Sequence, residues 1–397
     1  MTAAAGPPAQ RVALASLTTL RLGGPARRLA EAATEADLIA AVRSADERGE
    51  PLLVLGGGSN LVVADEGFPG TVVRVATRGA RVARADQGAR AAGHDGAVLL
   101  TVAAGEDWDT VVAGTIADGL AGLECLSGIP GLAGATPIQN VGAYGQEVAQ
   151  TLVTVRGYDR QRRATVTLPA AECGFGYRTS AFKRSAGAGP GVSGGPVAGG
   201  AGLGVPGGPV TGRFVILDVT FALTPAPLSA PLRYRELAEA LGLREGQRAP
   251  LADVRAAVLA LRRGKGMVLD PADPDTRSAG SFFTNPVLGA ADFAALERAV
   301  LAAWGPQVRV PRFPAGPGAV KVPAAWLIER AGFGKGYPGG PDRRAARISA
   351  KHTLALVNPG GATTSSLLAL AREIAAGVHK TFGVDLAPEP VLVGTGW

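Results

Sequence analysis

Eighteen consecutive residues, Gly128 to Gly145, pass without a charge and include five glycines. Glycine lets main-chain N–H groups approach an anion closely and reaches φ > 0 geometries closed to other residues, so amide dipoles can hold a phosphate there. A turn-rich internal connection with no ligand is the plainer alternative. A second cluster sharpens the choice. The apolar run Pro51–Leu55 reads as a buried strand that leads into Gly56, Gly57, Gly58, Ser59 and Asn60, after which Leu61–Val63 resumes β character. Strand, phosphate-type turn, strand differs from G-x-G-x-x-G opening a helix, because the sixth position here is Leu61 and β-branched residues follow it. A nicotinamide-type Rossmann site is therefore disfavoured. No G-x-x-x-x-G-K-[ST] occurs either: Gly332-Phe333-Gly334-Lys335 lacks both the spacing and the hydroxyl.

Three further strings follow the glycine clusters: Tyr177-Arg178-Thr179-Ser180, Gly280-Ser281-Phe282-Phe283-Thr284-Asn285-Pro286, and Pro388-Glu389-Pro390. All five stand in the order found in the UDP-N-acetylenolpyruvoylglucosamine reductases, and the chain resembles that FAD-dependent MurB family of peptidoglycan synthesis, type I-like, over nearly its whole length. The resemblance implies reduction of UDP-N-acetylglucosamine enolpyruvate to UDP-N-acetylmuramate, with tightly bound, non-covalent FAD and with NADPH as hydride donor. Hydride delivered to the enolpyruvyl methylene leaves charge on an enolate, so the site must stabilise that charge and deliver a proton to the adjacent carbon. By resemblance Ser281 is the proton donor, while Arg178 and Glu389 flank the enol and its carboxylate. Plainer alternatives are a turn cap for Ser281 and a surface position for Arg178.

The cofactor contacts expected are Gly56, Gly57, Gly58, Ser59, Asn60, Gly134, Ala135, Pro137, Ile138, Gln139, Asn140, Gly142, Ala143 and Tyr144; Tyr144 either stacks on flavin or fills the loop. Thr19 to Gly24 resembles the family's N-terminal flavin contact. For substrate, the family match points to Tyr177 and Asn285. Arg262 and Lys265, three apart on the last turn of an expected helix, are suited to a carboxylate or diphosphate, or simply to the helix dipole. In type I reductases a loop near here covers the substrate and contributes a tyrosine, but no tyrosine lies between Ser185 and Gly212. An alcohol or sugar oxidase of the same FAD-binding architecture is the nearest rival. Such oxidases often attach flavin through His or Cys, and the glycine loops contain neither.

Composition narrows the class. The 397 residues suggest two to three domains, and 47% hydrophobic content is ample for real cores. Cys125 and Cys173 are the only cysteines and His94, His352 and His379 stand singly, which offers neither a metal site nor a disulfide framework. No apolar run reaches the ~18 residues of a membrane span and no signal sequence is evident, so a cytoplasmic location, no membrane partner and a monomer are expected. The net charge of +7 invites a nucleic-acid reading. Yet only six of forty basic residues are lysines, the arginines are dispersed and aromatics are 5%, so no nucleic-acid partner is expected; a mild positive excess suits anionic small molecules.

The elements that must position these groups follow from periodicity. Strands are expected at Ala97–Ala104, Phe214–Phe221 and Thr353–Val357, with a hairpin from Val153–Val155 and Ala164–Leu168. Helices are expected from Asp107 to Asp118, Leu251 to Arg263, Ala291 to Trp304, Pro323 to Arg330 and Thr364 to Phe382, the last stopped by Gly383. Ser185 to Gly212, with twelve glycines, four prolines and no charge, reads as a disordered loop. With the resemblance to the MurB family, the fold class implied is α+β: a two-domain FAD-binding module of the vanillyl-alcohol-oxidase type plus a C-terminal α+β substrate domain. The divisions are residues 1–77 with 384–397 returning to them, 78–270, and 271–383.

Overall fold

Runs that are apolar on both faces pair as buried parallel strands, and the amino-terminal part is built this way. The computed structural model describes residues 12–84, 96–185, 211–339 and 346–397. Its first elements are β1 (Ala26–Ala32), α1 (Glu35–Glu47), β2 (Leu52–Leu55), β3 (Leu61–Val63) and β4 (Phe68–Val75). Strands β1, β4 and β2 form a parallel sheet in that order. Helix α1 opens with a capping box between Thr34 and Asp37 and lays Leu38, Val42 and Ala45 into the core with Leu52 and Val73.

Antiparallel pairing takes over next, through β5 (Ala80–Arg84), β6 (Val98–Ala103), α2 (Trp108–Ala117), β7 (Leu120–Ala121), the short pair β8 (Gly142–Ala143) and β9 (Gln146–Glu147), β10 (Leu152–Asp159), β11 (Ala164–Pro169), α3 (Ala181–Ser185), β12 (Phe214–Pro225), α4 (Arg235–Ala240) and α5 (Leu251–Gly264). The sheet order is β11-β10-β12-β6-β5, with β7 also on β12. Asp107 caps α2 by accepting from Thr110 N at 2.8 Å, and Gly119 at φ 68° turns the chain away after it. The Trp108 ring, fully buried, lies 5.7 Å from that of Phe221 on β12.

The remaining elements are β13 (Ser278–Ser281), β14 (Val287–Gly289), α6 (Ala290–Trp304), β15 (Phe313–Pro314), β16 (Ala319–Lys321), α7 (Ala324–Arg330), β17 (Arg347–Ile348), β18 (Ala355–Val357), α8 (Thr364–Phe382) and β19 (Val391–Val393). Two small antiparallel sheets, β13-β18-β17 and β14-β16-β15, pack with α6, α7 and α8 around a shared core. The fold is α+β. Strand β19 leaves this core and pairs parallel with β3, Val391 opposite Leu61. That return brings Pro388-Glu389-Pro390 beside the glycine turn after β2, with Val391 N donating to Asn60 O at 2.9 Å.

The segment expected to be disordered needs correcting at its ends, and residues 186–210 lie outside the described residues. Ser185 closes α3. Thr211 and Gly212 are buried because they extend the edge of β2: Thr211 N donates to Leu52 O at 3.1 Å, Val54 N donates to Thr211 Oγ1 at 2.8 Å, and Arg160 holds both carbonyls.

Candidate active site

The two glycine clusters meet, and they do different work. A Cβ on Gly57 would stand 2.7 Å from Gly131 Cα, and one on Gly58, at φ 63°, 1.9 Å from Leu17 O, so only glycine lets the three backbones pack here. Ser59 Oγ ties the loops by donating to Pro130 O at 2.9 Å. The amides of Gly56 to Asn60 donate to no carbonyl among the described residues; of these residues Gly58 is buried, where an N–H group without a partner is rare. These amides border a cleft of about 540 Å³, which is what a pyrophosphate-bearing cofactor requires.

In the second cluster most amides are already used. Those of Gly134, Ala135, Ile138 and Asn140 donate to Ala104, Leu132, Ala135 and Pro137 carbonyls. Gly134, Ala135, Ile138, Gln139, Gly142, Ala143 and Tyr144 line the cleft as a wall, whereas the run of undonated amides is in Gly56–Asn60. Pro137 and Asn140 correct the expectation further, since neither lines the cleft. Asn140 is buried at φ 45°; its Nδ2 donates to Glu147 Oε2 at 2.8 Å and Gly176 O at 3.2 Å, and its Oδ1 accepts from Ala149 N. It braces the wall from behind.

Arg178, Ser281 and Glu389 converge on the same cleft. Arg178 sits in a tight turn closed by Gly176 and Thr179, at φ 51°, a strained value for a bulky side chain. Its Nη2 donates to Gly142 O at 3.0 Å, and its Nε lies 3.0 Å from Glu389 Oε1, close enough for an ion pair. The Nε–H is not aimed at that oxygen and has no acceptor among the described residues. Glu389 N donates to Phe282 O at 2.8 Å, which places the carboxyl one strand away from Ser281. Burial pushes the Glu389 carboxyl above its ordinary range, against the opposing pull of Arg178 and Lys183. The turn before Ser281 is held by Ser278, whose Oγ accepts from Gly280 N at 3.3 Å. The capping alternative therefore falls to Ser278, and Ser281 is left facing the cleft. Thr19 Oγ1, donating to Ser278 O at 2.7 Å, ties the N-terminal loop to this strand.

A cationic rim lies opposite. Arg262 is partly buried, desolvation lowers its guanidinium to about 10, its Nη2 donates to Met267 O at 2.8 Å, and its Nε lacks an acceptor among the described residues. Lys265 lines the cleft with it, but as the residue capping α5 rather than within its last turn. Its Nζ reaches Glu236 at 2.6 Å and stands 5.7 Å from the Tyr144 ring, which packs edge-on against Tyr234. Burial raises the Tyr144 hydroxyl to about 12. Tyr177 and Asn285, expected at the substrate, do not line the cleft. Asn285 Oδ1 accepts from Ala324 N at 2.9 Å to start α7, and the Tyr177 ring lies under Lys321 Nζ at 4.3 Å.

The cleft residues that the sequence reading did not place there include Lys183 and His352. A single histidine without ligand spacing carries no signal, and Lys183 offered only its place five residues after Arg178. Burial, with Lys265 and Lys335 nearby, lowers His352 from 6.5 to about 4. A depressed histidine contributes stability that is present above pH 6.5 and is lost as pH falls towards about 4. The His352→Gln protein should therefore lose less stability than wild type between pH 7 and pH 4 in thermal melts, with similar values above pH 7; equal slopes would contradict this.

Both cysteines are free and buried, and desolvation raises Cys125 to about 12 and Cys173 to about 11, so neither is a ready nucleophile. Among the described residues no cluster of three or more His, Cys, Asp or Glu could hold a metal ion, and no helix is long and apolar enough to cross a membrane.

Comparison with known proteins gives matches over nearly the whole length. Residues 26–161 match the model of an FAD binding domain, and residues 271–393 that of the UDP-N-acetylenolpyruvoylglucosamine reductase C-terminal domain. The UDP-N-acetylenolpyruvoylglucosamine reductase of Thermobifida fusca is 54% identical over 386 residues, covering 97% of this chain and 98% of that one. That of Streptomyces coelicolor is 55% identical over 382 residues, covering 96% and 89%. Among solved structures, UDP-N-acetylenolpyruvylglucosamine reductase (MurB) from Thermus caldophilus aligns with a TM-score of 0.57 at 26% identity, covering 97% of this chain and 98% of that one.

Proposed function

Because the chain belongs to the UDP-N-acetylenolpyruvoylglucosamine reductase family, we propose that it reduces UDP-N-acetylglucosamine enolpyruvate to UDP-N-acetylmuramate with NADPH, and that Arg178, Ser281 and Glu389 carry the chemistry. The single observation that supports this assignment is their convergence on one cleft bordered by the donor-rich turn Gly56–Asn60. FAD held in this cleft would supply the hydride chemistry between NADPH and the enolpyruvyl methylene carbon. The protein supplies the rest. Gly56 to Asn60 would hold the cofactor's pyrophosphate through their undonated amides, and Gly134 to Tyr144 would wall its site.

Arg178 binds the substrate carboxylate through a guanidinium whose Nε–H is still free to donate. Beside a second carboxylate, Glu389 is favoured in its protonated form, and burial already raises its pKa. It then donates a hydrogen bond to the developing enolate oxygen, a contact that strengthens in the transition state. The Ser281 hydroxyl gives its proton to the carbon bearing the carboxylate, which completes CH–CH₃ from C=CH₂, and the alkoxide regains a proton from water. Arg262 and Lys265 take the nucleotide-sugar end. Tyr177, next to Arg178, and Asn285, four residues after Ser281, support the site without lining the cleft.

An oxidase of the same architecture is not favoured, since the relatives at 54–55% identity are reductases. The reading includes three parts, residues 1–77 with 384–397, 78–270 and 271–383, a monomer, and a cytoplasmic setting where NADPH and UDP-sugars are made. Isotope placement tests the roles: turnover in deuterated water should label the carbon next to the carboxylate, and hydride from NADPH the neighbouring methyl. Absence of solvent label at the carbon next to the carboxylate would overturn the order of addition.

A further inference from the structure

Lys183 lies on α3, a helix of five residues anchored by buried Phe182, whose ring packs edge-on against Phe214 at 5.8 Å. Ser180 sets the start of the turn: its Oγ donates to Ile138 O at 2.6 Å and accepts from Lys183 N at 3.2 Å. The anchored turn sends the Lys183 side chain into the cleft, where Nζ donates to Arg178 O at 3.2 Å. That carbonyl belongs to the residue in the left-handed conformation, and such strain persists only where surrounding contacts hold it. A solvated surface lysine would gain nothing from such a place. Desolvation here lowers the Lys183 ammonium, with Glu389 pulling it back up and Arg178 adding to the fall.

Resting on the assignment of Arg178 and Glu389 above, we propose that Lys183 is a positioning residue: its ammonium pins the Arg178 carbonyl, and with it the turn that aims the guanidinium at Glu389, and it serves as a second cation towards the Glu389 carboxyl. The groups facing Glu389 are then Arg178, Lys183 and, from the same turn, the Tyr177 hydroxyl. With only Arg178 left as a cation, Glu389 gives up its proton less readily. Its titration moves to higher pH. An opposite charge within ~4–6 Å typically shifts a carboxyl by about 1–3 units; with Arg178 retained, a displacement of about 0.5–1 unit is expected.

The test follows single-turnover flavin reoxidation by the UDP-enolpyruvyl sugar against pH in holoenzyme of four forms: wild type, Lys183→Met, Lys183→Arg and Glu389→Gln. Glu389→Gln identifies the limb of the profile that belongs to Glu389 by abolishing it. Lys183→Met should move that limb up by about 0.5–1 unit and slow reoxidation about 10- to 100-fold, as a misplaced binding group does, while Lys183→Arg restores the limb. A limb lost in Glu389→Gln but unmoved in Lys183→Met overturns this inference alone. A limb that survives Glu389→Gln overturns the Glu389 assignment, and the inference with it. Anaerobic reduction by NADPH, at the wild-type rate in Lys183→Met, distinguishes displacement of the carboxyl from general damage; slowing of both half-reactions with no movement of the limb would return Lys183 to a structural role.

Discussion

The Ser281→Ala enzyme is expected to accept hydride from NADPH at close to the wild-type rate and to be reoxidised by the UDP-enolpyruvyl sugar about 10²–10⁴-fold more slowly. The asymmetry comes from where the proton is needed. Reduction by NADPH involves no proton on substrate carbon, whereas reoxidation ends only when the enolate is protonated. The Ser281 hydroxyl faces the cleft at the end of β13, while the turn before it is secured by Ser278, so removing one oxygen leaves the strand intact. Stopped-flow absorbance of each half-reaction, measured separately, decides the matter. Equal slowing of both, or of neither, would remove Ser281 from the chemistry.

Gly57→Val should purify with most of its FAD lost and rebind it about 10- to 100-fold more weakly. Its Cβ would meet Gly131 Cα at 2.7 Å, and overpacking of this kind costs typically 1–3 kcal/mol, about a tenfold loss of affinity for each 1.4 kcal/mol. The two loops must part, and the amides of Gly56 to Asn60 then no longer converge on one anion. Gly58→Val fails for another reason. Its side chain would collide with Leu17 O at 1.9 Å and oppose a φ of 63°, so it damages the fold of the loop before it touches the anion. Flavin titration of the apoprotein, paired with its melting temperature, separates the two. Full FAD occupancy in Gly57→Val would show that the cofactor is held elsewhere.

The convergence of Arg178, Ser281 and Glu389 on one cleft was legible because they lie in short strings whose order along the chain is informative even though their separation in sequence is large. What brings them together was not legible in the strings. The bond from Glu389 N to Phe282 O and the pairing of β19 with β3 are long-range contacts. Residues inside a motif were the easiest to misassign. Asn140 and Pro137 belong to the glycine-rich stretch, yet the buried Asn140 amide turns away towards Glu147 and Gly176. Asn285 follows Ser281 by four residues but spends its carbonyl oxygen on the start of α7. Lys183 was missed for the opposite reason, since its meaning lies in the carbonyl it reaches rather than in a pattern.

Elements with strong periodicity, such as α5 and α8, matched expectation in type and nearly in extent. Strand β4 shows where local composition loses to packing. Pro69 and Gly70 look like turn residues, but Pro69 points outward near the strand's start and Gly70 lies against Pro51, where a Cβ would stand 2.0 Å from the carbonyl oxygen. The glycine is there because two backbones touch, a reason invisible from one strand alone.

The central claim is that this cleft reduces an enolpyruvyl ether. Purified holoenzyme reduced by NADPH without oxygen should lose its flavin absorbance near 450 nm, and one equivalent of UDP-N-acetylglucosamine enolpyruvate should restore it while forming one equivalent of UDP-N-acetylmuramate. If oxygen restores the colour and the enolpyruvyl sugar does not, the chain is not the reductase described here.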